Sequence, residues 1–327
     1  MDRKLDELLY ALMQNMMITV SGEKLARDLG VSHSTLVRWV EKLRTAGIEI
    51  RGELFTGYRL VRLPDVLLPQ LIRPRLNTRF IGRNLYHFYD VDSTNLFAAR
   101  LLTHGHKVPE GTVILAESQT AGRGRLGRSW HSEREAGIYF SVVLFPKAPP
   151  SLAPLFTLAA AVGMHEAVER YTGLDIDIKW PNDLLIGGRK FCGILSEIQA
   201  EVDLVKTMIV GVGVNVNHER LPDDIRDRAT SLRIASGRIQ SRIEILLEFF
   251  EQFENIYMEF ERKGPAGIIE RWTRFSSFAN GRKIEIHDGV RKVAGVTRGL
   301  NPLGALRVEQ KRGQVEEIYS GDVVAWE

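Results

Sequence analysis

Three arginines alternate with three glycines in the run QTAGRGRLGRSW, residues 119–130. Gly122, Gly124 and Gly127 spell G-x-G-x-x-G, which in a dinucleotide-binding turn follows a strand and opens a helix. Here a strand does precede, Thr112-Val113-Ile114-Leu115-Ala116, but the chain then passes through HSEREAG into IYFSVVLF. That second stretch is apolar, aromatic and β-branched and reads as a strand over 138–145, so the dinucleotide reading is excluded. What remains is a glycine-loosened loop carrying Arg123, Arg125 and Arg128. Guanidinium groups on such a loop suit an anion; the alternative is a solvated basic loop.

Three further stretches carry side chains with chemistry. In DVDSTN, Ser93 and Thr94 stand at the start of the helical pattern TNLFAARLL, where hydroxyls and free backbone N–H groups can bind a polar ligand or simply cap the helix. In KWPNDLLIGGRKFCGILSE, Lys179 and Lys190 read onto adjacent apolar strands, with Asn182 and Asp183 in the turn; lysines there are costly unless they face an anion. In VGVGVN, Gly211 and Gly213 are two apart and share one face of a strand, leaving a flat gap in which a ligand can lie against the backbone. Together with the arginine loop these make an anion clamp, a flat slot and a set of hydroxyls. Neither a nucleophilic Ser, Cys or His relay nor a metal-ligand spacing is visible. The set suits joining two anions, a carboxylate and a nucleotide phosphate, whose repulsion a preorganised cationic clamp lowers.

The elements that must position these residues alternate from Tyr86 onward. HFYDV reads as a strand, SLAPLFTLAAAVGMHEAVERYTG as a long apolar helix, IDIKW, LLI and KFCGILSEI as strands, and KTMIVGVGVNVN as one more. Gly187-Gly188 marks a hairpin between LLI and KFCGILSEI. Ile243, Leu246, Leu247, Phe250, Phe253, Tyr257 and Phe260 fall at helical spacing and read as core. The fold class is α+β, a mixed sheet flanked by helices. After Ser276 come short strands separated by His-Asp-Gly, Asn-Pro-Leu-Gly and Lys-Arg-Gly turns, a small β-barrel.

Ahead of this lies a different pattern. Leu5, Leu8, Leu9 and Leu12 share a helix face; a second helix is predicted from about Glu23 to Leu29, a Gly30-Val31-Ser32 turn, and a third helix from about His33 to Thr45. Leu25, Ala26, Leu29, Val31, Leu36, Val40 and Leu43 form the seam, and IEIRGELFTGYRL is a hairpin. Three helices and a hairpin make a winged helix-turn-helix. Its second motif helix would turn Ser32, His33, Ser34, Thr35, Arg38 and Lys42 toward DNA; a protein-interaction module of the same shape is the alternative. Pro64, Pro69 and Pro74 mark a linker containing a short apolar helix. The boundaries expected are 1–63 for the DNA-binding domain, 64–79 for the linker, 80–275 for the catalytic domain and 276–327 for the C-terminal domain.

Composition narrows the setting. The 327 residues carry 44 Lys and Arg against 41 Asp and Glu, a formal charge of +3, so nucleic-acid contact must be local. Cys192 is the single cysteine, which excludes an intramolecular disulfide and fits a reducing, cytoplasmic setting. No signal peptide or membrane span is expected. His104 and His106 read as structural or solvated.

GRGRLGRSW, KWPNDLL, GRKFCGILSE and GVGVNVN, in this order and after DSTN, resemble the biotin–protein ligases, and the helix-turn-helix makes the chain similar to the bifunctional kind, biotin ligase and biotin-operon repressor. The resemblance runs end to end. It implies a central ligase domain, an SH3-like C-terminal domain that helps bind ATP and the carrier protein, and a two-step reaction. Biotin and MgATP give biotinyl-5′-AMP, which a lysine of biotin carboxyl carrier protein then attacks. It implies that Ser93, Thr94, Asn95 and Gln119 contact biotin, that Arg123, Gly124 and Arg125 close over biotin and the adenylate, and that Gly193, Gly211 and Gly213 line the slot. Lys190 would hold the biotin carboxylate and the α-phosphate; Arg125, Arg128, Lys179, Asn182, Asp183 and Asn215 would serve the nucleotide, Lys179, Asn182 and Asp183 also the incoming lysine, with Lys190, Arg125 and Lys179 catalytic. Mg2+ would come with ATP rather than from a protein cluster. The partners implied are the carrier protein, operator DNA, and a second copy of the chain when the adenylate is bound. The recognition helix departs from the family at His33 and Trp39. The rival readings are a lipoate–protein ligase, and a biotin-sensing regulator without ligase activity.

Overall fold

The computed structural model describes residues 3–45, 47–63, 65–103, 107–288, 291–311 and 313–326. His104, His106 and Pro64 lie outside the described residues. The chain divides into two compact units, Met1–Leu76 and Asn77–Glu327.

In the first unit, helices α1 (Arg3–Gln14), α2 (Gly22–Leu29) and α3 (His33–Thr45) precede a hairpin of β1 (Glu49–Glu53) and β2 (Gly57–Arg62). Ser21 Oγ accepts from Lys24 N to start α2, and Gly30, at φ 61°, ends it in the left-handed region that glycine tolerates. Ser32 Oγ accepts from Thr35 N at 3.2 Å and so starts α3. Leu8, Leu9, Leu12, Leu25, Leu36, Val40 and Leu43 are buried. His33, Ser34, Arg38 and Lys42 are exposed and Thr35 is half-buried. Trp39 is buried with the seam, so this departure from the family lies in the packing and not on the outer face of α3. The segment expected as a linker carries α4 (Pro69–Ile72), whose Leu71 and Ile72 are buried, and Arg73 pairs with Asp6 of α1 at 3.5 Å.

The second unit is built on β3 (Leu85–Val91), α5 (Thr94–Thr103), β4 (Thr112–Gln119), β5 (Gly137–Leu144), α6 (Ala153–Thr172), β6 (Asp177–Lys179), β7 (Asp183–Ile186), β8 (Arg189–Ala200), β9 (Val205–Asn215), α7 (Leu232–Ser236), α8 (Arg242–Lys263) and α9 (Ala266–Phe275). Its seven strands run β3-β4-β5-β9-β8-β7-β6, with β3 and β4 parallel and every other pair antiparallel. All eight residues of β5 are buried, because helices cover both faces of its continuous apolar run. Phe140 packs against Phe249 and Phe250 of α8 on one face. On the other, Ile114, Val143 and Ile209 pack with Ala98 of α5. Strand order corrects one expectation: Lys179 of β6 and Lys190 of β8 are not on adjacent strands, because β7 lies between them. The Pro181-Asn182 turn already reverses the chain after β6, so β7 pairs with both neighbours.

One helical stretch, 150–172, is long and apolar enough by composition to cross a membrane, but 72% of its apolar window is buried inside the protein, which marks it as a core helix. A core helix held between a sheet and α8 needs this composition.

The C-terminal part comprises β10 (Asn280–His287), β11 (Lys292–Leu300), β12 (Leu306–Glu309), β13 (Val315–Ile318) and β14 (Asp322–Trp326), an antiparallel sheet in the order β13-β12-β11-β10-β14. It is consistent with an SH3-like barrel, but the hydrogen-bonded sheet is not closed, and β13 and β14 are its edges.

Candidate active site

The site lies on the face of the large sheet that α5 covers, at the N-terminal end of that helix. Ser93, Thr94 and Asn95 are buried there. Thr94 N donates to Gln119 Oε1 at 2.9 Å, and Gln119 Nε2 donates to Ser132 Oγ at 3.0 Å. Ser141 Oγ of β5 lies 2.6 Å from Asn95 Oδ1 and 2.8 Å from Thr94 Oγ1, and Asn95 Nδ2 donates to Glu197 Oε2 at 2.8 Å. The hydroxyls and amides expected from DSTN therefore form one network with β5 and β8. Asp92, just ahead, is held down to about 2 by the Arg100 guanidinium, which it accepts at 2.6 and 2.9 Å.

The glycines form the floor. Gly193 of β8 and Gly213 of β9 are cross-strand partners, and Leu195 pairs with Gly211. A methyl group on Gly211 would overlap the Asn95 amide, and one on Gly213 would overlap the Trp130 indole. At Gly193 a Cβ would stand 2.8 Å from Trp130 Cζ3. The flat slot inferred from VGVGVN is thus the surface on which Trp130 lies. Trp130 Nε1 is buried without a hydrogen-bond partner, and Lys190 Nζ sits 5.3 Å from the ring centroid.

The arginine loop folds back on itself. Gly124 N donates to Arg128 O at 2.7 Å and Trp130 N to Gly122 O at 2.9 Å. Leu126, at φ 54°, occupies the left-handed region at the loop's exposed tip. Arg123 pairs with Glu197 at 3.2 Å. Arg125 Nη1 donates to Asp322 Oδ1 at 3.1 Å, Gly321 O at 3.2 Å and Asn182 Oδ1 at 3.3 Å, while Arg128 pairs with Asp322 at 2.6 Å. Asp322, at the start of β14, thereby ties the loop to the C-terminal sheet; its distance in sequence hid it.

Lys190 Nζ pairs with Asp183 at 2.5 Å. Its backbone is clamped by the segment after β9: Lys190 N donates to Arg228 O and Thr230 N to Lys190 O, each at 2.9 Å. That polar, aperiodic segment gave no sign in the sequence of crossing the site. Asn215 Nδ2 donates to Thr230 O at 3.1 Å. Lys179 Nζ lies 4.4 Å over the Trp326 ring; burial lowers its pKa, with Lys190 adding to the effect and Asp183 opposing it.

Two cavities meet here. The smaller, about 110 Å³, is lined by Ser93, Thr94, Asn95, Gln119, Arg123, Gly124, Arg125, Gly193, Gly211 and Gly213. The larger, about 560 Å³, is lined by Lys179, Asn215, Ile225, Arg228 and Trp326. Arg128, Trp130, Asn182, Asp183, Lys190 and Asp322 line both. The residues expected around biotin all line the smaller cavity; of those expected around the nucleotide, Lys179 and Asn215 line the larger of the two alone, while Arg128, Asn182, Asp183 and Lys190 line both. Arg125, expected on both sides, lines the smaller of these two and not the larger. No metal-type spacing was visible in the sequence, yet folding brings His131, Glu133 and His218 together.

A mixed sheet flanked by helices, with this double, cation-rimmed cavity, is suited to a ligase that brings two anions together. Residues 88–215 match the biotin/lipoate A/B protein ligase family, and residues 4–59 match a helix-turn-helix domain. The chain is 36% identical over 307 residues to the bifunctional ligase/repressor BirA of Bacillus subtilis, covering 93% of each chain. It is 28% identical to the protein of that name from Escherichia coli K12, over 93% of this chain and 92% of that one. The crystal structure of biotin protein ligase from Aquifex aeolicus in complex with biotin and ATP superposes with a TM-score of 0.65 at 32% identity, covering 75% of this chain and 99% of that one. The chain belongs to the biotin–protein ligases of the type that carries an N-terminal helix-turn-helix.

Proposed function

We propose that the protein joins the biotin carboxylate to the α-phosphorus of MgATP and then passes the biotinyl group to a lysine of a biotin carboxyl carrier protein. The observation that carries this reading is the position of Lys190, on the wall shared by the two cavities. In the first step a carboxylate oxygen bonds to the α-phosphorus while the bond to the bridging oxygen breaks, and pyrophosphate leaves. Both reactants are anions, so a fixed ammonium between them offsets their repulsion where charge develops. Arg128, Lys179, Asn182 and Asn215 hold the nucleotide, whose magnesium arrives as part of the substrate. Ser93, Thr94, Asn95 and Gln119 hold biotin over the Gly193, Gly211 and Gly213 floor. Arg123, Gly124 and Arg125 close the loop, which keeps water from hydrolysing the mixed anhydride. In the second step the carrier's neutral lysine amine attacks the acyl carbon and AMP leaves; Asp183, beside Lys190 on the shared wall, takes the amine's proton.

The N-terminal unit extends the reading to operator DNA. With ten basic and eight acidic side chains over 1–62, one copy carries net +2, too little for useful specificity alone. Two copies on a two-fold axis would read a palindromic operator, with Ser32, His33, Ser34, Thr35, Arg38 and Lys42 facing the groove. The adenylate-bound form dimerises and represses; the carrier competes for the adenylate. Cytoplasmic location follows from these partners. Incubation with biotin, MgATP and a carrier domain should place biotin on its acceptor lysine and leave a Lys→Arg carrier unlabelled. Absence of labelling at saturating substrates contradicts the reading.

A further inference from the structure

His131, Glu133 and His218 each offer a ligand atom within 4.8 Å of the other two. The strip 131–133 follows the arginine loop, and His218 follows β9, so distant stretches supply them. We propose that these three residues bind a transition-metal ion of the zinc class, at a site distinct from the magnesium that accompanies the nucleotide.

A hydrogen-bond network lies behind His218. Tyr139 Oη lies 3.0 Å from Glu133 O and 3.2 Å from His218 Nε2. A carbonyl only accepts, so the phenolic proton goes to Glu133 O and His218 Nε2 must donate to the phenol oxygen. This assigns the Nε2–H tautomer and leaves the lone pair on Nδ1. Nδ1 is buried and has no hydrogen-bond partner, and His218 is fully buried. A buried imidazole whose second nitrogen is held by a neighbour is how proteins orient metal-binding histidines. The backbone around it is fixed as well: Asn217 N donates to Ala136 O at 2.6 Å, and Ser231 Oγ donates to His218 O at 2.7 Å.

The other two ligands sit at the surface. His131 and Glu133 are exposed, and His131 Nε2 lies 3.9 Å from Glu133 Oε2. Ligand atoms on a tetrahedral zinc stand about 3.4 Å apart, so small side-chain rotations against the fixed His218 complete the geometry. Two imidazoles and one carboxylate favour a borderline ion; magnesium prefers an all-oxygen shell. Three protein ligands leave the fourth position for water. His131 also lines the larger cavity, so the ion would join two chain segments at that cavity's rim.

The test uses the full-length, metal-stripped protein titrated with zinc against a chromogenic chelator. One tight site is expected. His131→Ala and Glu133→Gln, both at exposed positions, should each weaken it by on the order of tenfold to a hundredfold or more, and Tyr139→Phe, which removes only the group behind His218, should weaken it by about tenfold. Cobalt should give tetrahedral d–d absorption that the same variants lose. Failure of the wild-type protein to hold zinc would overturn the site. So would wild-type affinity in the His131→Ala/Glu133→Gln double variant, or displacement of zinc by magnesium at comparable concentration.

Discussion

Lys190 is the side chain on which the chemistry turns. Removing it should leave the fold intact, since its ammonium is partly exposed and its backbone bonds to Arg228 and Thr230 do not depend on side-chain identity. Lys190→Ala should therefore unfold like wild type but form adenylate in single turnover at least about a hundredfold more slowly. Near-normal adenylation would remove Lys190 from the role. Gly213 makes a complementary case. A methyl there must push Trp130 off the sheet, so Gly213→Ala should weaken biotin binding by tenfold or more in calorimetry and ATP binding by less, since Trp130 lines both cavities but Gly213 only the smaller of the two. Equal loss for both ligands would mean that the floor does not belong to the biotin cavity alone. Both residues were legible because local spacing exposes them: two glycines on one strand face, and a lysine where apolar strands make it costly. Asp322, Ser141 and His218 were not legible. Each reaches its place through sheet pairing or loop packing over long separations, and nothing beside them in sequence marks it.

At the scale of elements, the arginine loop is held by contacts that an anion would replace. Asp322 neutralises both Arg125 and Arg128, so Asp322→Ala should loosen the ligand-free loop and speed tryptic cleavage at residues 123–128; biotin with MgATP should restore protection. Unchanged cleavage would show that the loop is held by its own turn. Helix packing supplies a pH dependence. His165 of α6 stacks on Phe275 at 4.0 Å between ring centroids, and burial lowers its pKa. Below its ordinary value of 6.5 the unfolded chain takes up a proton that the folded imidazole refuses, so stability is full above that pH and falls as pH drops toward the folded value. Urea midpoints at pH 7.5 and 5.5 should differ less for His165→Gln than for wild type; identical differences would contradict this. Helices and strands were read from periodicity, including α3 with both ends. Lys179 and Lys190 were set on neighbouring strands although LLI was read as a strand between them in sequence, because its pairing with both neighbours was not read. The openness of the C-terminal sheet was not visible either, since closure depends on edge pairing and not on strand pattern.

For the whole molecule, the account links two equilibria. Ordering the loop on the adenylate spends part of the entropy that dimerisation would otherwise require, so self-association should tighten when biotinyl-adenylate is added, and operator affinity should rise with it. Sedimentation velocity and DNA-binding titrations read both; DNA affinity indifferent to the adenylate would leave the N-terminal unit outside biotin control. All of this rests on the carboxylate meeting the α-phosphate at the junction of the two cavities. The most direct measurement is exchange of labelled pyrophosphate into ATP by the purified protein. The account predicts rapid exchange that requires biotin, proceeds without any carrier protein, and collapses in Lys190→Ala. Exchange absent with biotin, or equally fast without it, would contradict the central claim.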